Sequence, residues 1–317
     1  MPRPVTLVAV TPRGFRQSPG RHRELLESTG FEVRYPTQER PLRAPELREL
    51  LAGCEGVILG VDDASAEVLL GSALRVVVRF GIGVDNVDLP AARQQGIRVS
   101  RTLGATTTSV AELTIGLMLA SARGIPQMDR AVRGGSWSRP TGLELAGRTL
   151  GLVGTGRIGR QVADRASALG MDVIGHDPLA AGGDLPLVGF DELIARSDVV
   201  SIHAPLTTST RHLFDAAVLS RMRPSSILVN TARGGIIDEV ALAAALTHGP
   251  LHAAALDSFE EEPLRDSPLL GLPNVILTPH SGASTVEGVE RAGVIAVEEL
   301  CRGLAGEPLL YDVEAGR

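Results

Sequence analysis

The sequence predicts an α/β fold built on parallel sheets, and three observations carry that prediction. Short apolar, β-branched runs recur along the whole chain. They are nearly continuous in hydrophobicity, as strands buried on both faces are, and helical patterns lie between them. The runs cover residues 5–10, 56–59, 75–80, 149–153, 172–175, 199–203, 227–230, 253–256 and 275–278, with a further strand expected just before Arg101. The spacing predicts helices over 21–29, 45–52, 157–169, 239–246 and about 285–301. A chain of 317 residues fits two domains of moderate size rather than one.

One helix reads in detail. Ser109 and Glu112 have the spacing of a capping box, and Val110, Leu113, Leu117 and Ala120 then recur at helical intervals until Gly124 and Pro126 close the segment. Residues 130–147, with Gly134-Gly135 and the single tryptophan, Trp137, read as an irregular excursion expected to pack against a neighbouring element or a second subunit.

Composition removes several function classes. Hydrophobic residues make up 44% and charged residues 21%, which argues against disorder. Net charge is −6 with the basic residues scattered, so no nucleic-acid surface is expected. The longest apolar stretch, 113–122, is half of what a membrane span needs, and the apolar run at the start is too short for a signal-peptide core. Cys54 and Cys301 have no metal or redox spacing and read as small apolar residues. The expectation is a cytoplasmic protein with no membrane partner and no metal.

The chemistry begins at Gly154-Thr155-Gly156-Arg157-Ile158-Gly159, which follows a predicted strand and opens a predicted helix. In that context Gly154 allows a tight turn, Gly156 lets backbone approach a pyrophosphate, and Gly159 lets helix and strand pack closely. The next strand ends at Asp177, 23 residues beyond Gly154, close to the ~20 expected for the acidic residue that binds the adenosine ribose. A carboxylate there accepts from a 2′-hydroxyl and repels a 2′-phosphate, and residues 178–183 supply no cation to offset this. NAD is therefore expected rather than NADP.

Three segments then follow the ends of later strands: Asn230-Thr231-Ala232-Arg233-Gly234-Gly235, residues 256–263 with Asp257, Glu260, Glu261, Glu262 and Pro263, and residues 277–285 with Thr278-Pro279-His280. Together they bring an arginine, a carboxylate and a histidine to the carboxyl edge of the sheet, where α/β proteins bind ligands. Spacing alone leaves open which of the three glutamates takes part.

These motifs resemble, in order and over nearly the whole chain, those of the D-isomer-specific 2-hydroxyacid dehydrogenases, especially their phosphoglycerate dehydrogenase-like branch. Residues 79–86 (Arg-Phe-Gly-Ile-Gly-Val-Asp-Asn) and Ser109-Val110-Ala111-Glu112 share in the match. The resemblance implies a catalytic trio of Arg233, Glu262 and His280, with Glu262 chosen because it directly precedes Pro263. Transfer of a hydride from a hydroxylated carbon requires the hydroxyl proton to leave too. A histidine suits that task, a carboxylate orients the histidine, and an arginine fork suits the substrate carboxylate. The resemblance further implies that Ile82 and Gly83, with Arg79 nearby and with Arg233 and His280, hold the substrate. Arg157 and Ile158 would meet the pyrophosphate, His203-Ala204-Pro205 would flank the adenosine side, Thr231 and Asp257 would line the nicotinamide, and Ala232 and Gly282 would also bind the cofactor. Arg79 could alternatively form a structural ion pair.

The implied architecture is a flavodoxin-like substrate domain over residues 1–100, completed by 285–317, and an inserted Rossmann NAD-binding domain over 101–284. Hinges would lie near Arg101 and Ser284, and residues 123–147 would reach the second subunit of a homodimer. Departures from the phosphoglycerate enzymes are also visible. Asp62 and Asp63 stand where an arginine is usual and would repel a phosphate, and Arg101 opens a segment that usually begins with asparagine. Arg101 is then a substrate-side cation, an interface cation or a solvated one. The chain length leaves no room for a serine-sensing domain, so serine feedback is not expected. Hydroxypyruvate, glyoxylate and phosphonate-bearing keto acids stay open as substrates. So does a role as an NAD-sensing corepressor-like scaffold, whereas Glu262 argues against formate dehydrogenase-like chemistry, which uses glutamine there.

Overall fold

The computed structural model describes residues 5–180 and 183–313. Ala181 and Gly182, within the segment read after Asp177, lie outside the described residues, as do residues 1–4 and 314–317 of the expected substrate domain. The chain forms two units, residues 1–106 with 283–317, and residues 107–282.

The first unit holds a parallel sheet of β1 (Leu7–Val10), β2 (Glu32–Arg34), β3 (Gly56–Leu59), β4 (Val76–Arg79) and β5 (Arg98–Arg101). Its order, β2-β1-β3-β4-β5, is the flavodoxin-like one. β3 and β4 are buried along their whole length, which explains their apolar sequence up to Arg79, the buried last residue of β4. The strand missed by sequence reading is β2: three residues at an edge, Glu-Val-Arg, none of them fully buried. The final helix, Val286–Ala305, belongs to this unit. Thr285 caps its start by accepting from the Gly288 amide at 3.0 Å, and Gly306, left-handed at φ 80°, ends it.

The second unit holds β6 (Thr149–Val153), β7 (Asp172–His176), β8 (Val199–Ile202), β9 (Ser226–Asn230), β10 (Leu251–Leu256) and β11 (Val275–Leu277) in the order β11-β10-β9-β8-β6-β7, all parallel. A parallel bridge between Gly175 and Leu187 extends the sheet beyond β7. With that bridge counted as a reduced strand, the order is that of a doubly wound Rossmann sheet, whose connections reverse direction between β6 and β8.

The helix that crosses this sheet runs Thr107–Arg123, so it starts two residues before the predicted cap. Ser109 lies inside the first turn, buried, and cannot cap it. Glu112 turns instead toward Arg165, 3.7 Å away on the helix Arg157–Ala168. The predicted end holds: Gly124 is left-handed at φ 61°. A second helix, Ile125–Arg133, then takes the first four residues of the expected excursion, and only after the turn at Gly134-Gly135 does the chain become irregular. Among the described residues no helix is long and apolar enough to cross a membrane.

Candidate active site

The cofactor motif sits at the reversal point of the second sheet. β6 delivers the chain into Gly154, left-handed at φ 96°, and a Cβ there would lie 2.7 Å from the backbone carbonyl carbon of His203, just after β8. A Cβ on Gly159 would lie 2.2 Å from the Gly154 oxygen. Both positions therefore require glycine for protein reasons. Gly156 differs: a Cβ there would meet nothing within 4 Å. It is the N-cap of the helix Arg157–Ala168, and no side chain caps those first amides. Open space in front of free helix-terminal N–H groups is what a pyrophosphate needs. Arg157 is exposed there and Ile158 half-buried.

Asp177, directly after β7, is held in place. One carboxylate oxygen accepts from the Thr155 amide (2.8 Å) and hydroxyl (3.2 Å), and the other from the Leu179 amide (3.0 Å). Burial alone would raise its pKa. The hydrogen bonds from Thr155 and Leu179, with the nearby His176, outweigh it and hold the carboxyl below its ordinary value. A carboxylate has about four acceptor positions, so capacity remains for a ribose hydroxyl. Opposite it, His203 contacts the Ser201 hydroxyl through Nε2 at 2.9 Å, and burial lowers its pKa to about 4, so the ring is neutral at physiological pH. Ala204 and Pro205 follow, with the Ala204 amide close against Gly154. These residues fit a dinucleotide.

The three later loops meet at the carboxyl ends of β9, β10 and β11. Asn230, fully buried at the end of β9, accepts from the Ala232 amide at 3.0 Å and donates to the Arg233 carbonyl at 2.9 Å, so it shapes the loop that presents Arg233. Arg233 also donates to the Ala232 carbonyl at 2.8 Å. Thr231 is fixed by the Thr114 hydroxyl at 2.9 Å. Thr114 gives its proton to the Val110 carbonyl, so Thr231 must be the donor to Thr114.

Gly234 locks this loop onto the next. A Cβ there would fall 1.8 Å from the carbonyl carbon of Phe259, inside its backbone. The Phe259 amide in turn donates to Glu262 Oε1 at 3.0 Å, and both Glu262 oxygens reach His280 Nδ1, at 3.0 and 2.8 Å. A carboxylate only accepts, so Nδ1 carries the proton and Nε2 is left free of it in the neutral ring. Burial would raise the Glu262 pKa. The hydrogen bond and charge of His280, the Phe259 amide and the charge of Arg233 together overcome burial and lower it. Glu260, by contrast, accepts from the Glu239 amide at 3.3 Å and contacts His212 at 3.1 Å. The structure thus joins Glu262 and not Glu260 to His280.

Asp257, only 2% exposed, serves the histidine loop. It accepts from the Thr278 hydroxyl (2.6 Å), the Ser281 amide (2.8 Å) and the Gly282 amide (2.7 Å). His280 itself takes the left-handed conformation at φ 50°, rare for a residue with a side chain, and this bracing holds it there. The sequence places Asn230 and Gly234 in the arginine motif without a role, and gives no sign of Thr114.

In the first unit, Arg79 is buried at the end of β4. It donates through Nε to Asn86 at 3.3 Å and through a terminal nitrogen to the Phe80 carbonyl. Asn86 is tied to the carbonyls of Gly60 (3.1 Å) and Asp62 (2.7 Å), so Arg79 stiffens the loop that carries Ile82 and Gly83. Of the two carboxylates expected to face a phosphate, Asp62 is turned into the protein. Asp62 is 4% exposed, accepting from the Thr11 hydroxyl and from the Leu42 amide at 2.8 Å, and only Asp63 faces solvent.

A doubly wound sheet with a glycine-rich turn, a ribose-side aspartate and an arginine–glutamate–histidine cluster defines a dinucleotide-binding α/β protein. Residues 115–282 match the family model for the D-isomer specific 2-hydroxyacid dehydrogenase NAD binding domain. The chain is 50% identical over 242 residues to D-3-phosphoglycerate dehydrogenase of Methanocaldococcus jannaschii, covering 74% of this chain and 46% of that protein. It is 44% identical over 256 residues to hydroxypyruvate reductase of Thermotoga maritima, covering 78% and 84%. A solved structure of a protein from Thermus thermophilus aligns with a TM-score of 0.89 at 39% identity, covering 97% of this chain and all of that one. The chain belongs to the D-isomer specific 2-hydroxyacid dehydrogenase family. It spans about half the length of the phosphoglycerate dehydrogenases it matches.

Proposed function

We propose that this protein catalyses the NAD-dependent interconversion of a small D-2-hydroxy acid and its 2-keto acid. The observation that carries the reading is the bond from His280 Nδ1 to both Glu262 oxygens on the same sheet edge as Arg233. When bound, NAD supplies the hydride acceptor, and everything else falls to the chain. In the oxidative direction His280 Nε2 takes the hydroxyl proton, and Glu262 stabilises the imidazolium that results. In reduction the same nitrogen returns the proton to the keto oxygen. Arg233 offers two parallel N–H bonds to the substrate carboxylate and draws charge from the keto oxygen. Ile82 and Gly83, on the loop Arg79 stiffens, are assigned to the same carboxylate.

The glycine turn, Arg157, Ile158, Asp177 and residues 203–205 are assigned to the adenosine and pyrophosphate. Thr231, Ala232, Asp257 and Gly282 are assigned to the nicotinamide side. Hydroxypyruvate and 3-phosphoglycerate are the substrates that the named relatives put first, and glyoxylate is tested beside them. The test is NADH consumption against a panel of 2-keto acids, with His280→Ala as the blank. A signal lost by about 10²–10⁴ in the variant while NADH still binds supports the reading. Turnover that ignores the substitution removes His280 from the chemistry.

We also place the chain in the cytoplasm, in keeping with two unpaired cysteines, and in a homodimer formed through the second unit. The helix Ile125–Arg133 buries none of its residues, and Ile125, Val132 and Trp137 leave apolar surface uncovered. Sedimentation velocity checks this. A protein that is monomeric at micromolar concentration contradicts it.

A further inference from the structure

We infer that Arg101 recognises a second anionic group on the substrate, so that the preferred 2-keto acid carries a carboxylate or phosphoryl group beyond its own carboxylate. This rests on the proposed reaction, and on the assignment of Ile82 and Gly83 to the first carboxylate.

Arg101 is the last residue of β5 and stands in register with Arg79 on β4. The two arginines are treated differently by their surroundings. Arg79 is wrapped by its own loop: besides its bonds to Asn86 and Phe80, Gly81 passes so close that a Cβ there would lie 2.5 Å from the guanidinium. Arg101 has one long hydrogen bond, from a terminal nitrogen to the Ile82 carbonyl at 3.4 Å. Its Nε is buried and has no acceptor, and among the described residues no carboxylate pairs with it. A guanidinium offers five donors in a fork and keeps its charge at every accessible pH. Leaving the buried Nε without an acceptor is costly, and an anion with two oxygens is the ligand that satisfies the fork. The contact with Ile82 puts the cation beside the amides assigned to the substrate carboxylate. The group it meets is then the next one along the molecule.

Two probe pairs test this. The first compares kcat/KM for oxaloacetate, a dianion, with that for pyruvate, its monoanionic counterpart. 3-Phosphohydroxypyruvate is added to tell a phosphoryl from a carboxylate preference. Wild type should favour one of the doubly charged compounds over pyruvate. Arg101→Gln should reduce that ratio about 10- to 100-fold, as loss of a charge-assisted hydrogen bond does, chiefly through KM, and Arg101→Lys should restore part of it. A ratio that changes by less than about twofold in Arg101→Gln, or a wild type that prefers pyruvate, overturns the inference. The second pair is read without turnover, by calorimetric titration of the NADH-loaded protein with malonate and with acetate. Tighter malonate binding that vanishes in Arg101→Gln supports the anion site even if no keto acid is reduced, in which case the reaction reading alone falls. Malonate binding that is indifferent to the substitution removes the site while leaving the reaction untouched.

Discussion

Gly234→Ala puts the contact between the loops that carry Arg233 and Glu262 to a direct test. The added Cβ would stand 1.8 Å from the Phe259 carbonyl carbon and 2.1 Å from its oxygen, whereas ordinary contact begins at 3.4 Å. Both partners are backbone and both residues are buried, so no side chain can rotate away. The loops must part by roughly 1.5 Å. Overpacking of this kind costs about 1–3 kcal/mol, which lowers the melting temperature by roughly 3–10 °C in a unit of this size. The functional cost should be larger. Arg233 is the adjacent residue, and the Phe259 amide anchors Glu262, so parting the loops separates the proposed substrate fork from the Glu262–His280 pair. A misplacement on the order of 1 Å is worth about 10²-fold in rate. The assay is kcat/KM on the best keto acid, with a thermal melt and NADH titration on the same preparation. NADH affinity should fall less than kcat/KM, because the glycine turn proposed to hold the pyrophosphate lies on β6, and only the nicotinamide side reaches Thr231 and Ala232 on the β9 loop. A variant that melts within about 2 °C of wild type and keeps kcat/KM within threefold would show that the loops are not rigidly coupled.

Gly156→Ala should behave in the opposite way, since its Cβ meets no protein atom. Stability should fall by less than about 1 kcal/mol, while the Kd for NADH rises at least tenfold in a fluorescence titration. Unchanged affinity would mean that no pyrophosphate approaches there. His203 predicts a pH effect. Its pKa is about 4 in the folded chain against 6.5 unfolded, so the unfolded state binds the extra proton between those values. The stability that the neutral ring provides is full above pH 6.5 and drains away as pH falls toward 4. The ceiling is about 3 kcal/mol, and partial exposure of the ring reduces it. Denaturant melts of His203→Gln across that window should show a shallower acid loss than wild type, and parallel curves would disprove the assignment.

Much of this protein is local information, and that part was legible in the sequence. A strand buried on both faces must be mostly apolar, so β3, β4, β8 and β9 announce themselves. A residue whose Cβ would fall 2.7 Å or less from another backbone atom must be glycine, so Gly154 and Gly159 do too. Asp177 could be read because strand length sets its distance from the turn. Short edge strands are not apolar enough to register, and β2 was missed for that reason. The start of the helix Thr107–Arg123 slipped by two residues because Ser109 and Glu112 satisfy the capping pattern by spacing alone.

What sequence could not decide is which polar groups are already occupied by the protein itself. Asp62 looks like a surface charge until Thr11 and Leu42, from elsewhere in the first unit, close around it. Glu260 and Glu262 differ by two positions, yet one pairs with His212 and the other with His280. Asp257 is engaged by a loop some twenty residues later, and Gly234 is obliged to be glycine by Phe259, on a different strand's loop. Arg101 stands out by the converse, a buried donor with no partner supplied. Composition and periodicity follow from a residue's own preferences and its near neighbours. The state of a hydrogen-bonding group depends on whichever distant segment folding brings within 3 Å of it, and only the tertiary structure holds that.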